Sequence, residues 1–333
     1  MSDLIEILKE LCEADDLSGV YDALSVAEKH LSKYAKVRRE GNNLIGEIKG
    51  KTDYTVMLDA HIDEIGMVVT AVNNGFLKLS NVGGIDRRML AGMKVTVHGK
   101  NKVRGVFCSV PPHLDKDDKV LKIEDMHIDT GLGDKATDVI SVGDRVTFEQ
   151  SFERLLGNKV TAKSLDDRAG CVALIRCAEI LSKEKELPCN VVFLLSDAEE
   201  IGGMGAKTES FKIFPDEAVA VDVSFGNAPD IASEKTGTLG DGAMLGISPL
   251  LSKQVTDGLK MAAESKGIKF QYEVMNGKTG TNADHIALTK SGVKTGLLSI
   301  PLRNMHTPVE VVDTADIESV AEILAEYIKL KEE

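Results

Sequence analysis

Tyr54-Thr-Val-Met-Leu-Asp-Ala60 is a compact, mostly apolar run, and it ends at His61. A short run of this kind is typical of a strand buried inside a sheet. The chain around it repeats the theme. Strands are expected at residues 35–40 and 43–49 before the run, and at 190–195, 218–223, 269–274 and 293–300 after it. Helical periodicity marks residues 3–14, 18–34, 168–182, 249–266, 282–291 and 314–331. The last of these has an acidic first turn and a basic end that suit the helix dipole. Strands alternating with helices predict an α/β fold, with a mixed, mainly parallel sheet sandwiched by helices.

The texture changes between residues 68 and 160. Val95-Thr-Val-His-Gly-Lys-Asn-Lys-Val103 reads as a hairpin, with apolar residues on both sides of a glycine-containing turn. Residues 142–148 read as a turn and a further strand, and 111–128 as a proline-led, charged loop. The expectation is a small all-β domain over 68–160, inserted into a catalytic domain made of 1–67 and 161–333.

Composition narrows the function classes. The 333 residues carry a net charge of -13, which argues against nucleic acid as a partner, because phosphate binding needs basic surface. No stretch approaches the roughly 18 apolar residues of a membrane span. The acidic start of the chain lacks the basic flank and apolar core of a signal peptide. Its five cysteines are scattered without a Cys-x-x-Cys pair, so the expected location is the reducing cytoplasm.

Open α/β sheets bind ligands at the carboxyl ends of their strands. His61, Glu199-Glu200, Asp222 and His306 all fall at or after such ends, and Asp166-Asp167 stands at a helix start. Taken singly, each has an ordinary explanation. An Asp pair before a helix serves as an N-cap, and a Glu pair after a strand is solvated surface. Asp222 is harder to dismiss, because it lies inside Val-Ala-Val-Asp-Val, where an unpaired carboxylate is costly. Together they read as one metal site, that of a co-catalytic hydrolase. Imidazole and carboxylate donors without thiolate suit zinc or cobalt, with manganese a third choice.

The clusters His61-x-Asp63-Glu64-x-Gly66, Asp166-Asp167-Arg168-x-Gly170, Glu199-Glu200-x-Gly202, Asp222 within its strand and Met305-His306-x-Pro308-x-Glu310 occur in that order. The set resembles metallopeptidase family forty-two, the glutamyl and tetrahedral (TET) aminopeptidases, over about residues 20–325. The resemblance implies an aminopeptidase with two divalent ions per subunit, acting on short peptides with a free N-terminus. It implies His61 and Asp222 as terminal ligands of one ion, Glu200 and His306 as those of the other, and Asp166 as the bridge. A cis peptide bond is implied after Asp166. Glu199 is implied as the general base for a metal-bridging water. Asp63 is implied as the group that orients His61, a role with its own rationale, since ligand imidazoles usually donate their second N–H to a carboxylate or carbonyl.

The β-domain resembles a dimerisation domain, and dimers of this family assemble into tetrahedral dodecamers. One departure stands out: Asn282 occupies the centre of Thr281-Asn282-Ala283, where relatives commonly carry Thr-Asp-Ala. The alternatives are a metal-dependent carboxypeptidase or deacylase, and a non-catalytic metal-binding assembly protein. Gly202-Gly203-x-Gly205 is expected to serve close backbone packing, and His30, His98, His113, His127 and His285 to be structural or exposed.

Overall fold

Four parallel strands make the centre of the molecule, in the spatial order Lys294–Arg303, Glu217–Phe225, Thr55–His61 and Asn190–Ser196. Leu58, Phe193, Val219 and Leu298, one on each strand, are fully buried. Strands covered on both faces need side chains that are apolar in both directions, and these four have them. The computed structural model describes residues 2–111, 113–114 and 119–331, so part of the charged loop expected at 111–128 lies outside the described residues.

The sheet is mixed rather than mainly parallel. Asn43–Ile48 runs antiparallel to Asn190–Ser196, and Lys36–Glu40 folds back on it through Gly41, at φ +60°. On the other side, Glu310–Asp313, Lys159–Ala162 and Glu153–Arg154 add antiparallel strands, while Ala243–Ile247 and Phe270–Val274 branch from Lys294–Arg303. Several of these strands follow their neighbour by a short turn, and a short turn joins only antiparallel partners.

Helices cover both faces. Ser2–Glu13, Asp22–Leu31, Leu165–Leu181, Lys253–Lys266 and Thr314–Lys329 share the main apolar core with the sheet. Met204–Ile213 and Ala283–Ile286 cover the opposite face, over Ile45, Met57 and Leu194. Three expected helices are shorter than their sequences suggest. Residues 18–21 belong instead to a small hairpin of Asp16–Leu17 and Val20–Tyr21, turned by Gly19 at φ +109°. The helix expected from 249 starts at Lys253, after Ser252 in extended conformation, and 282–291 is helical only over Ala283–Ile286. Among the described residues, no helix is long and apolar enough to cross a membrane.

After His61 the chain leaves the sheet. Gly66–Asn73, Phe76–Val82, Lys94–His98, Lys102–Phe107, Ile128–Asp129 and Arg145–Phe148 close into a barrel. Met67, Val69, Leu79, Val97 and Val146 belong to an apolar core of its own. One barrel loop returns to the rim of the main sheet, where Asp86 N–H donates to the His306 carbonyl at 3.1 Å. Gly84 sits there because a Cβ at that position would lie 2.7 Å from His306 Nδ1.

Candidate functional site

The rim on which the central strands end brings together His61, Asp63, Asp166, Glu199, Glu200, Asp222 and His306. His61 is the last residue of its strand, and Asp222 lies near the end of Glu217–Phe225. Glu199 and Glu200 occupy the turn after Asn190–Ser196, and His306 follows Lys294–Arg303. Asp166 stands at the first turn of Leu165–Leu181, where it and Asp167 have non-helical backbone and share a cis peptide bond.

Asp166 is central to the cluster. Its Oδ1 lies 3.0 Å from His61 Nε2, and its Oδ2 lies 3.4 Å from His306 Nε2. Asp222 Oδ1 is 4.0 Å from His61 Nε2, and Glu200 Oε1 is 3.8 Å from His306 Nε2. One carboxylate thus faces two imidazoles, each with a further carboxylate beside it. Donor atoms of His61, Asp166 and Glu200 all lie within 4.8 Å of one another, as do those of His61, Asp167 and Asp222.

Asp63 touches more than His61. Its Oδ1 is 3.4 Å from His61 Nδ1, while the His61 ring also meets the Asp63 carbonyl at 3.3 Å. The same carboxylate accepts the Glu199 N–H at 3.0 Å and the Glu200 N–H at 3.3 Å. It therefore holds the Glu-Glu turn against the strand that carries His61. Glu310 makes a second such tie, accepting the Asp166 N–H at 3.0 Å and the His306 N–H at 2.9 Å. Glu64 makes a third: buried, it accepts from Lys163 at 2.6 Å, from the Asp16 N–H at 2.8 Å and from the Ser164 hydroxyl.

The electrostatics show why the donor set fits divalent cations. Burial pushes Glu200 up to about 10, reinforced by the Asp166 charge. Burial likewise raises Asp222, with Asp166 and Glu199 adding to it, and raises Asp167 with the help of Asp222. Glu199 is raised by burial and then by Asp63 and Asp166. Burial acts to raise Asp166 too, but the two imidazoles outweigh it and hold that carboxyl well below the usual range. Burial disfavours charge on His61, yet Asp166 and Asp63 together raise it. Asp167 Oδ2 has no hydrogen-bond partner. So many carboxylates share one buried rim that cations among them would relieve the repulsion and the desolvation together.

Three residues take places that their sequence context does not announce. Glu310 is a buried carboxylate that opens the mostly buried strand Glu310–Asp313. Asn282 does not enter the cleft: buried, it donates to Asp59 and Ser196 at 2.9 Å each. His285, expected to be structural or exposed, lines the cleft beside the cluster. A Cβ on Gly203 would lie 2.2 Å from its ring and one on Gly205 2.3 Å from Asn43 Oδ1, so these two glycines serve close packing, whereas Gly202 has φ +116° and open space around it. The cleft encloses about 600 Å³ and runs from the cluster past Phe225, Glu273, Lys278 and Asp284.

Comparison with known proteins identifies relatives of the whole chain. A model of the M42 glutamyl aminopeptidase family matches residues 42–323. The lysyl aminopeptidase of Pyrococcus furiosus is 29% identical, over 97% of each chain. The solved structure of an aminopeptidase from the archaeon Desulfurococcus kamchatkensis superposes with a TM-score of 0.93 at 31% identity, covering 99% of this chain and 95% of that one. The TET1 peptidase of Pyrococcus horikoshii, which can assemble into a tetrahedron or a large octahedral shell, gives 0.87 at 29% identity, covering 98% and 100%.

Proposed function

The chain belongs to the M42 glutamyl aminopeptidase family and is an aminopeptidase, a hydrolase of peptide bonds; on that premise we propose that it trims short peptides with a free N-terminus at a two-ion centre. The observation that carries this reading is the placement of Asp166, whose two oxygens face His61 and His306 separately. His61 and Asp222 would hold one ion, Glu200 and His306 the other, with Asp166 between them. Zinc or cobalt suits these ligands best, with manganese a third choice. Divalent ions bound there supply Lewis-acid polarisation of the scissile carbonyl and a lowered pKa for water.

The remaining steps belong to side chains of the protein. Glu199, half-buried and fixed through its own N–H to Asp63, takes a proton from the attacking water. It then returns that proton to the leaving amine. Asp63 keeps the His61 ring oriented and the Glu199–Glu200 turn in place. Glu199→Gln tests the assignment. We expect turnover to be nearly abolished while bound metal, counted by mass spectrometry, stays at the parent level; normal turnover in that variant overturns the role. The carboxypeptidase, deacylase and non-catalytic alternatives give way to the family assignment.

We assign the barrel, Gly66–Phe148, to subunit pairing and the rest of the chain to catalysis; Glu153–Arg154 and the start of Lys159–Ala162, expected within an insert at 68–160, pair instead in the main sheet. Exposed Val120, Leu121 and Val142 in that segment support the pairing role, as does the shell-forming habit of the Pyrococcus horikoshii relative. A cytoplasmic homo-oligomer, with dimers assembling into a tetrahedral dodecamer, is the proposed form. Light scattering in the presence of metal tests it: a monomer under all conditions removes this part of the proposal.

A further inference from the structure

We infer that Glu273 selects a basic side chain, lysine or arginine, on the first residue of the substrate; the inference rests on the aminopeptidase reading above. The cleft continues beyond the ligand cluster along one face of the sheet. Side chains alternate along a strand, so Ser224 points to the same face as Asp222 and lies ~6.6 Å further on. Ser299 pairs with Asp222 in the parallel register of the neighbouring strand. Glu273 reaches this face from Phe270–Val274. One of its oxygens accepts the Ser224 hydroxyl, and the other accepts the Ser299 hydroxyl at 2.6 Å.

Those two bonds fix a carboxylate at the cleft wall, and it is half-buried. They do not saturate it, because a carboxylate offers about four acceptor positions. A cation arriving from the cluster side therefore meets a held anion with free lone pairs. The approach is apolar as well as acidic. Phe225, 56% exposed, and half-buried Met305 line the same cleft and suit the hydrocarbon stem of a long cationic side chain.

Two other charges line the cleft between the cluster and its mouth, and neither competes well. Asp284 is turned into its own loop. Its Oδ1 accepts from the Thr279 N–H and hydroxyl at 2.8 Å each, and its Oδ2 from the Gly280 N–H at 3.2 Å. Lys278 is the rival, since it would favour an acidic first residue. Its side chain is exposed, where solvent and salt screen the charge, whereas Glu273 is anchored and partly withdrawn from water.

The test is kcat/KM of the metal-loaded full-length protein on lysyl-, arginyl-, leucyl- and glutamyl-nitroanilides. We expect the basic substrates to lead. Glu273→Gln, which can still accept from a serine, should cut the lysyl-to-leucyl ratio by about tenfold to a hundredfold, the worth of one charge-assisted hydrogen bond. Lys278→Met should leave lysyl ahead of glutamyl. A parent enzyme that prefers leucyl or glutamyl substrates overturns the inference while leaving the proposed function standing. So does an equal loss on every substrate in Glu273→Gln, which marks a merely structural role. Failure of the parent to cleave any of the four overturns the proposed function itself.

Discussion

Replacing Asp63 with asparagine changes a single atom of the carboxylate that holds the Glu199–Glu200 turn. Asp63 Oδ1 accepts the Glu199 N–H at 3.0 Å, and Oδ2 accepts the Glu200 N–H at 3.3 Å. An amide has one oxygen, so it can serve only one of these donors; its NH2 group then faces the other, donor against donor. The side chain is only 5% exposed, and water cannot step in. A buried donor left without a partner costs about 1–3 kcal/mol. The charge opposite His61, 3.4 Å from Nδ1, is lost as well. Loss of a carboxylate behind a ligand imidazole typically lowers metal affinity or activity by about 10–100-fold. Asp63→Asn should therefore unfold at lower denaturant concentration, bind zinc more weakly in competition with a chelating dye, and turn over more slowly. A variant that kept the parent unfolding midpoint, zinc affinity and kcat/KM would refute this reasoning.

Two further outcomes follow from buried carboxylates elsewhere. Glu310 bonds the backbone N–H groups of Asp166 and His306 with one oxygen each, so Glu310→Gln should lower zinc affinity by roughly tenfold or more through both proposed ligands; an unchanged zinc titration counts against that coupling. Burial pushes Asp16 up to about 8, and its Oδ1 has no partner. A carboxyl whose folded pKa exceeds its unfolded value of about 3.9 contributes its full stability below about pH 4 and loses it as pH rises through about 8. Asp16→Asn should accordingly gain stability relative to the parent between about pH 5 and pH 8, by at least about 1.4 kcal/mol, the worth of one pKa unit. Denaturant unfolding at the two pH values measures this, and parallel pH profiles would contradict it.

The centre of the fold was readable because its strands are nearly continuous apolar runs, and two of them carry a residue that has no ordinary place in a core. Asp222 inside Val-Ala-Val-Asp-Val and His61 at the end of its run are the clearest cases. The helix Met204–Ile213 left no such trace. It buries Gly205, Ala206, Glu209 and Ser210, small or polar residues that make no apolar stripe, while Met204 and Phe211 face outward. The antiparallel flank was also hidden. Lys159–Ala162 and Glu310–Asp313 meet across about 150 residues of chain, and nothing local encodes that pairing. Glu310 bonds Asp166 and His306 only because of it. Glu273 was invisible for a similar reason: its partners Ser224 and Ser299 lie on two other strands, and serine on a strand carries no signal by itself.

The most direct test is to strip the protein of metal with a chelator and titrate zinc back while counting bound ions and following cleavage of a peptide with a free N-terminus. Two tightly held ions per chain, activity that returns with them, and weakening of both ions by Asp166→Asn are the expected result. No tight binding, or binding that Asp166→Asn leaves intact, would mean that the cluster around Asp166 is not the catalytic metal centre.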